Sequence, residues 1–323
     1  FRAYAYFDLV RTYGAVPKID FKINTPADGN VAKSDTAAIY ALINDDLTFA
    51  EQNLPIVWEA KFAGRANKWA AKALHAKVLL QQRRYAEALP ICKDIINNGP
   101  YQLYTPYWKM FKKEGELCSE SIFEIQAAKT AGDGNTYWSR LGQCQGVRGS
   151  GTWDLGWGWN TPTTNLVGTY EAGDVRKDAT ILFSNQSDGG TNTGGYGLTL
   201  PNLTNALYWN KKVYNQYSDY LANGLGTPEN ESQNTWVNQR VLRLSDVLLM
   251  GAEAANETGA GNPDAATWVN RVRNRAGLGN VAFVSQAQMR TVIKQERRVE
   301  FAMEFERFFD LVRWGIAEPT LNG

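Results

Sequence analysis

The chain has 323 residues, with 34 basic against 33 acidic side chains and a net charge of +1. So even a balance excludes a surface built for phosphate backbones, which needs clustered surplus Lys and Arg, and no apolar stretch approaches the roughly 20 residues of a membrane-spanning helix. His75 is the single histidine, which removes His-rich zinc and two-His iron sites, and Cys92, Cys118 and Cys144 form neither a C-x-x-C pair nor a disulfide framework.

Phe1 to Tyr13 reads as the middle of an amphipathic helix with no cap before it, so further N-terminal residues are expected, carrying any signal peptide or lipid-anchor cysteine. Gly14 to about Ser34 is a loop, with Pro17, Pro26 and Gly29. Asp35 to Asn53 carries Ile39, Leu42, Ile43, Leu47 and Ala50 at helical spacing and stops at Pro55. Ala66–Gln82 and Tyr85–Asn98 predict two more helices joined at Arg83-Arg84, with Gly99-Pro100 as left-handed cap and stop. That pair spans about 34 residues, with Tyr85-x-x-Ala88 after the turn, and resembles a tetratricopeptide unit.

Residues 101–240 read differently, rich in Gly, Asn, Thr and aromatics with few long periodic segments. Ser121 to Gln126 alternates like a short strand, and 184–206 reads as exposed loop. Val241–Asn256 and Pro263–Ala276 predict a second helical hairpin, with Asn262 as cap and Pro263 in the first helical position. A last helical segment opens at Ser285, where Ser285-x-x-Gln288 has capping-box spacing, and runs to Trp314. The expected fold is mainly α and a single, N-terminally incomplete domain. Tetratricopeptide-like hairpins over 1–100 and 241–315 form its scaffold, and 101–240 is a long loop-rich insertion carrying a few short strands and the ligand contacts.

Aromatic side chains mark where a ligand would sit. The chain has 11 Trp, and four of them fall between residues 132 and 160 together with eight Gly. Indole offers a broad apolar face with a donor N–H, which suits the C–H faces and hydroxyl edges of sugar rings. Tyr137, Trp138, Trp153, Asp154, Trp157, Trp159 and Asn160 are therefore the candidate ligand contacts. Glu296, Glu300 and Glu304, at i, i+4 and i+8, raise acid–base catalysis or a metal site. Arg297, Arg298 and Arg307 interleave them, and a structural ion-pair role is preferred. His75, beside Leu74 and Ala76, reads as a packed or surface residue. No phosphate-binding glycine pattern is complete, since Asp154 stands where Gly149-x-Gly151 needs a third glycine. No catalytic residue, metal or cofactor is expected.

Several segments together resemble one family. Arg2-Ala-Tyr-Ala-Tyr-Phe-Asp-Leu-Val-Arg-Thr-Tyr-Gly14 with Pro17, Leu242-Arg-Leu-Ser-Asp-Val-Leu-Leu-Met with Ala252-Glu253-Ala254, Val269-Asn-Arg-Val-Arg with Arg275-Ala-Gly-Leu278, and the Glu296…Trp314-Gly315 segment are similar, in order and spacing, to signatures of the SusD-like (SusD/RagB) proteins. The resemblance implies a non-catalytic lipoprotein of the outer membrane, lipid-anchored and facing the exterior, that binds glycans for uptake. It implies a SusC-like TonB-dependent transporter as partner, and glycan contacts on the loop-rich lobe. Gly156 to Thr163 and Tyr170…Asp174-x-Arg176 are similar to recurring family framework, which favours Trp153, Trp138 and Tyr137 as the contacts over Trp157 and Trp159. Peptide capture is the alternative that the RagB branch suggests. A glycoside hydrolase using two of Asp154, Glu171, Asp174 and Glu296 is the third reading.

Overall fold

Short polar side chains start two of the four helices in the first hundred residues. In the computed structural model, which describes residues 1–128, 139–216, 218–219, 237–259 and 261–322, helix α1 spans Arg2–Tyr13, α2 Thr36–Asn53, α3 Lys68–Gln81 and α4 Tyr85–Asn98. Asp35 accepts a hydrogen bond from the Ala38 amide and Asn67 from the Ala70 amide, each satisfying a donor that the first helical turn leaves free. The helices pack in sequence, α1 on α2, α2 on α3 and α3 on α4. Helix α3 buries Ala70, Ala71, Ala73 and Ala76, small side chains that let neighbouring backbones approach. Gly99 ends α4 at φ −72° and ψ 150°, extended rather than left-handed as expected. Pro100 is the cause, because a proline drives the residue before it into the β or polyproline region. A two-stranded ribbon of β1 (Val16–Pro17) and β2 (Lys33–Ser34) lies within the expected loop.

These helices and Phe309–Gly323 form one compact unit, and Pro100–Phe308 forms the other. The second helical hairpin thus shares a unit with the loop-rich region. Strand β3 (Ser121–Ile125) lies where alternation put it and pairs antiparallel with β6 (Gln239–Arg243). The hairpin helix therefore starts at Leu244 and not at Val241, since the preceding backbone groups are committed to the β3 ladder. Between them come α5 (Leu141–Gln145), α6 (Thr164–Val167), α7 (Val175–Thr180), and an antiparallel pair, β4 (Ile181–Phe183) with β5 (Tyr208–Asn210).

The stretch joining β4 to β5 is more ordered than its composition suggested. Buried Asp188 accepts from the amides of Gly190, Tyr196 and Gly197, and Leu200 is fully buried. Leu200 joins Val147, Leu155, Leu182, Trp209 and Tyr214 in a core that the loop-rich region builds for itself.

Helix α8 (Leu244–Thr258) is buried on every face from Leu244 to Asn256, the mark of a central element. Helices α9 (Pro263–Arg275) and α10 (Gln286–Glu300) pack on it. Asn262 caps α9 and Ser285 caps α10, as expected. The last helical segment does not run unbroken to Trp314. It leaves the helix after Glu300 and resumes as α11 (Arg307–Arg313). The carbonyl of Glu300 explains the break. It accepts from Tyr107 Oη at 2.8 Å, Arg243 Nη2 at 2.9 Å and Lys212 Nζ at 3.1 Å, so side chains replace the amide of a further turn.

Candidate glycan-binding cleft and the buried ion-pair hub

Two places in the second unit hold the side chains that the sequence singled out. The first surrounds Glu300, which is fully buried. Arg176 reaches it at 3.0 Å and Arg243 at 2.5 Å, and Arg275 also bonds it. Glu296 pairs with Arg176 at 2.5 Å and Arg273 at 3.2 Å, and Glu304 with Lys212 at 2.6 Å and Arg243 at 2.9 Å. Glu120 adds a bridge between Arg243 at 2.9 Å and Arg275 at 2.8 Å. The expected partners were Arg297, Arg298 and Arg307 on the same segment, but the observed ones come from α7, β6 and α9. Residues four apart on a helix share a face, so Glu296 and Glu300 turn together toward neighbours. Glu304, in the turn beyond the helix, joins them through Lys212 and Arg243, while Arg297 pairs elsewhere with Asp246 at 2.8 Å.

Electrostatics follow the packing. Burial alone would raise the Glu300 carboxyl, but Arg275, Arg243 and Arg176 hold it well below the usual carboxylate range. Glu304 is likewise lowered, by Arg243 and Lys212 against its burial. Glu296 is raised, because desolvation there exceeds the pull of Arg176 and Arg273. Burial pushes the Lys212 amine down to about 8 despite Glu304. Of the four carboxylates considered for glycoside hydrolysis, Asp174 is clamped by Arg176 at 2.7 and 2.8 Å, Glu171 by Arg273 at 2.6 and 3.0 Å, and Glu296 is buried in this hub. Asp154 is exposed, and Glu171, also exposed, is held by its pair with Arg273. Among the described residues, no group of three or more His, Cys, Asp or Glu is arranged to hold a metal ion.

The second place is an open cleft of about 510 Å³ beside α5, lined among others by Ile125, Arg140, Gln145, Trp159, Asn160 and Phe305. Trp159 lines it and Trp157 stands beside Trp159, 59% and 38% accessible, with ring centroids 4.8 Å apart and planes tilted by 53°. Their backbone is pinned to α5 and the turn after it. The amides of Trp157, Gly158 and Trp159 donate to the carbonyls of Gln143 at 2.7 Å, Gly146 at 3.0 Å and Cys144 at 2.8 Å. Glycine is required for this close approach, since a Cβ on Gly156 would lie 2.6 Å from the Gly142 carbonyl oxygen. Asn160, at φ +55°, donates to Gln145 Oε1 at 2.7 Å, and buried Asn210 donates to the same oxygen at 3.0 Å. The rings thus project from a backbone that is already fixed.

Trp153 sits differently. It is half-buried against the loop-region core, stacked on Tyr214 at 6.0 Å with planes 6° apart. Asp154 is exposed beside it, in a backbone bridge with Arg148. Exposure therefore favours Trp157 and Trp159 over Trp153. Tyr137 and Trp138 lie outside the described residues. The structure brings Trp157, Trp159 and Asn160 together and keeps Trp153 apart in the core. Phe305, half-exposed and lining the same cleft, is not among the candidate contacts read from the sequence, where it lies 145 positions from Asn160. A second cleft, of about 500 Å³, is lined by Trp108, Lys112, Tyr196, Asn215 and Asp219, among others. Its Lys112 amine, lowered to about 8 by burial, is engaged by the Tyr214 carbonyl and the Tyr196 hydroxyl.

Comparison with known proteins shows what the chain is similar to. The SusD family profile matches residues 119–323, and a profile described as starch-binding, associating with the outer membrane, matches residues 1–80. The chain is 28% identical to SusD-like protein P2 of Formosa agariphila, over 97% of this chain and 63% of that protein. It is 27% identical to a SusD-like protein of Bacteroides ovatus, over 97% of this chain and 57% of that one. It thus spans less than two thirds of the length of these relatives. Among solved structures, a laminarin-binding SusD-like protein superposes with a TM-score of 0.82 at 29% identity, covering 99% of this chain and 70% of that one. Surface glycan-binding protein A from Bacteroides thetaiotaomicron, in complex with laminarihexaose, gives 0.76 at 26% identity, covering 98% and 68%.

Proposed function

The chain belongs to the SusD family, and on that premise we propose that it is a non-catalytic carbohydrate-binding protein that takes an oligo- or polysaccharide against Trp157 and Trp159. One observation carries this reading: two adjacent indoles are exposed on a backbone locked by hydrogen bonds to α5 and the turn after it, and one of them, Trp159, lines a cleft of about 510 Å³. Exposed Trp on a rigid backbone costs little entropy to order against a ligand. Arg140, Gln145 and Asn160 supply polar atoms within reach of hydroxyls in the same cleft. Glu296 and Glu300 are buried and matched to cations, which supports binding without hydrolysis. A role at the outer membrane, delivering the glycan to a SusC-like TonB-dependent transporter, is the wider reading that the family supports. The profile described as associating with the outer membrane supports the location.

The test is retention in native gels cast with laminarin, starch, xylan or other polysaccharides, read together with thermal midpoints. Trp159→Ala should lose most of the retention, because one sugar–indole stack is worth about 1–3 kcal/mol by analogy with base stacking, and its midpoint should hardly move. Trp153→Ala should do the opposite, lowering the midpoint while the folded protein still binds. Equal retention of wild type and Trp159→Ala on every polysaccharide would sink the assignment of this cleft. Reducing-end release by the purified protein would sink the non-catalytic reading.

A further inference from the structure

The break between α10 and α11 contains a conformation that packing does not explain. Met303 and Phe305 both have φ +68°, the left-handed region, where a bulky side chain is a genuine outlier. Glycine adopts that region without steric penalty. Yet Phe305 is 50% exposed, so its ring is not there to fill a core. The preceding residue fixes it in place, because the Glu304 carboxylate is tied to Lys212 at 2.6 Å and to Arg243 at 2.9 and 3.0 Å, and the Glu304 amide donates to the Phe301 carbonyl. The ring lines the same cleft as Trp159 and Asn160, and Asn160 also has a positive φ, of +55°. Strained residues of this kind persist where surrounding structure over-determines them, and they cluster at ligand clamps.

We propose that Phe305 is a second aromatic contact for the glycan, presented by a strained turn that the ion-pair hub holds in shape. This rests on the reading of the cleft as the carbohydrate site and extends it. Two separate aromatic surfaces in one cleft favour a ligand of more than one sugar ring over a monosaccharide.

Phe305→Gly is the informative substitution, since it removes the ring and relieves the backbone at once. On any polysaccharide that retards the wild type, Phe305→Gly should weaken binding roughly five- to a hundredfold, with a midpoint unchanged or raised. Phe305→Tyr, which keeps an aromatic face, should retain binding. Full retention by Phe305→Gly, while Trp159→Ala loses it, would overturn the inference and leave the cleft assignment standing. A midpoint lowered by several degrees in Phe305→Gly would overturn it too, by showing that the ring is packing. Binding of glucose as tight as that of laminarihexaose would contradict the multi-ring ligand. Absence of wild-type retention on every polysaccharide would remove the cleft reading and this one together.

Discussion

Glu300 and Trp159 belong to one compact unit, and both residue types suggested chemistry, but their surroundings differ in every respect. Around Glu300 the side chains are buried, charged and paired with one another, and arginines from three elements converge on one carboxylate. Around Trp159 the side chains are exposed and mostly uncharged, and the hydrogen bonds belong to the backbone beneath them. The hub spends its polar groups on the protein itself. The cleft leaves aromatic faces exposed for something else. Clustered acid and base residues are thus a poor guide to function here, while exposed rings on a fixed backbone are a better one.

The largest expected effect breaks the hub. Glu300→Gln removes a charge that faces Arg176, Arg243 and Arg275. Removing one partner of a buried network costs about 3–5 kcal/mol, which denaturant unfolding would register. Molecules that remain folded should bind polysaccharide as the wild type does. Normal unfolding with lost binding would exchange the roles assigned to the two places.

Much of this division was legible before the fold. Capping at Asn262 and Ser285, and the spacing of apolar residues, located the helices within a few residues, because those signals are local. The preference for a structural role at Glu296, Glu300 and Glu304 also followed from local charge, but their partners did not. Arg176, Arg243, Arg273 and Arg275 come from segments between 23 and 124 positions away, along an order of chain contacts that no helical period encodes. The same holds in the cleft. Trp153, Trp157 and Trp159 look alike in sequence, and only the Tyr214 stack and the burial of Trp209 decide which ring turns inward. Phe305 was illegible because its interest lies in a backbone angle.

A middle-sized effect probes how the cleft keeps its shape. Gly158 has φ +69°, and a Cβ there would lie 2.7 Å from the buried ring of Trp209 and 2.9 Å from Arg148 Cβ. Gly158→Ala should therefore cost about 1–3 kcal/mol of stability through strain. Because Gly158 lies between the two exposed indoles, retention should fall further than the loss of folded protein accounts for. A stability loss without that extra drop would mean that the rings tolerate movement of their backbone.

The smallest expected effect is a flat line, and it separates the two places most cleanly. Glu300 and Glu304 are held below the ordinary carboxylate range, so their contribution is present above about pH 4.3, the unfolded value for Glu, and disappears as pH falls through the lower folded-state values. Glu296, raised by burial, works against them by relaxing when protonated, so the hub should give way in acid but not near neutrality. The cleft has nothing comparable, since among its described lining residues Arg140 alone carries a charge. Retention between pH 5 and pH 8 should accordingly stay constant, with little response to salt, because stacking on indole involves no titrating group and no long-range charge. A neutral polysaccharide such as laminarin is the probe that isolates this. Retention that changed severalfold across that pH range, with the fold intact by midpoint, would mean that an ionisable side chain touches the ligand and that the glycan lies elsewhere, with Tyr196 and Asp219 in the second cleft the first place to look.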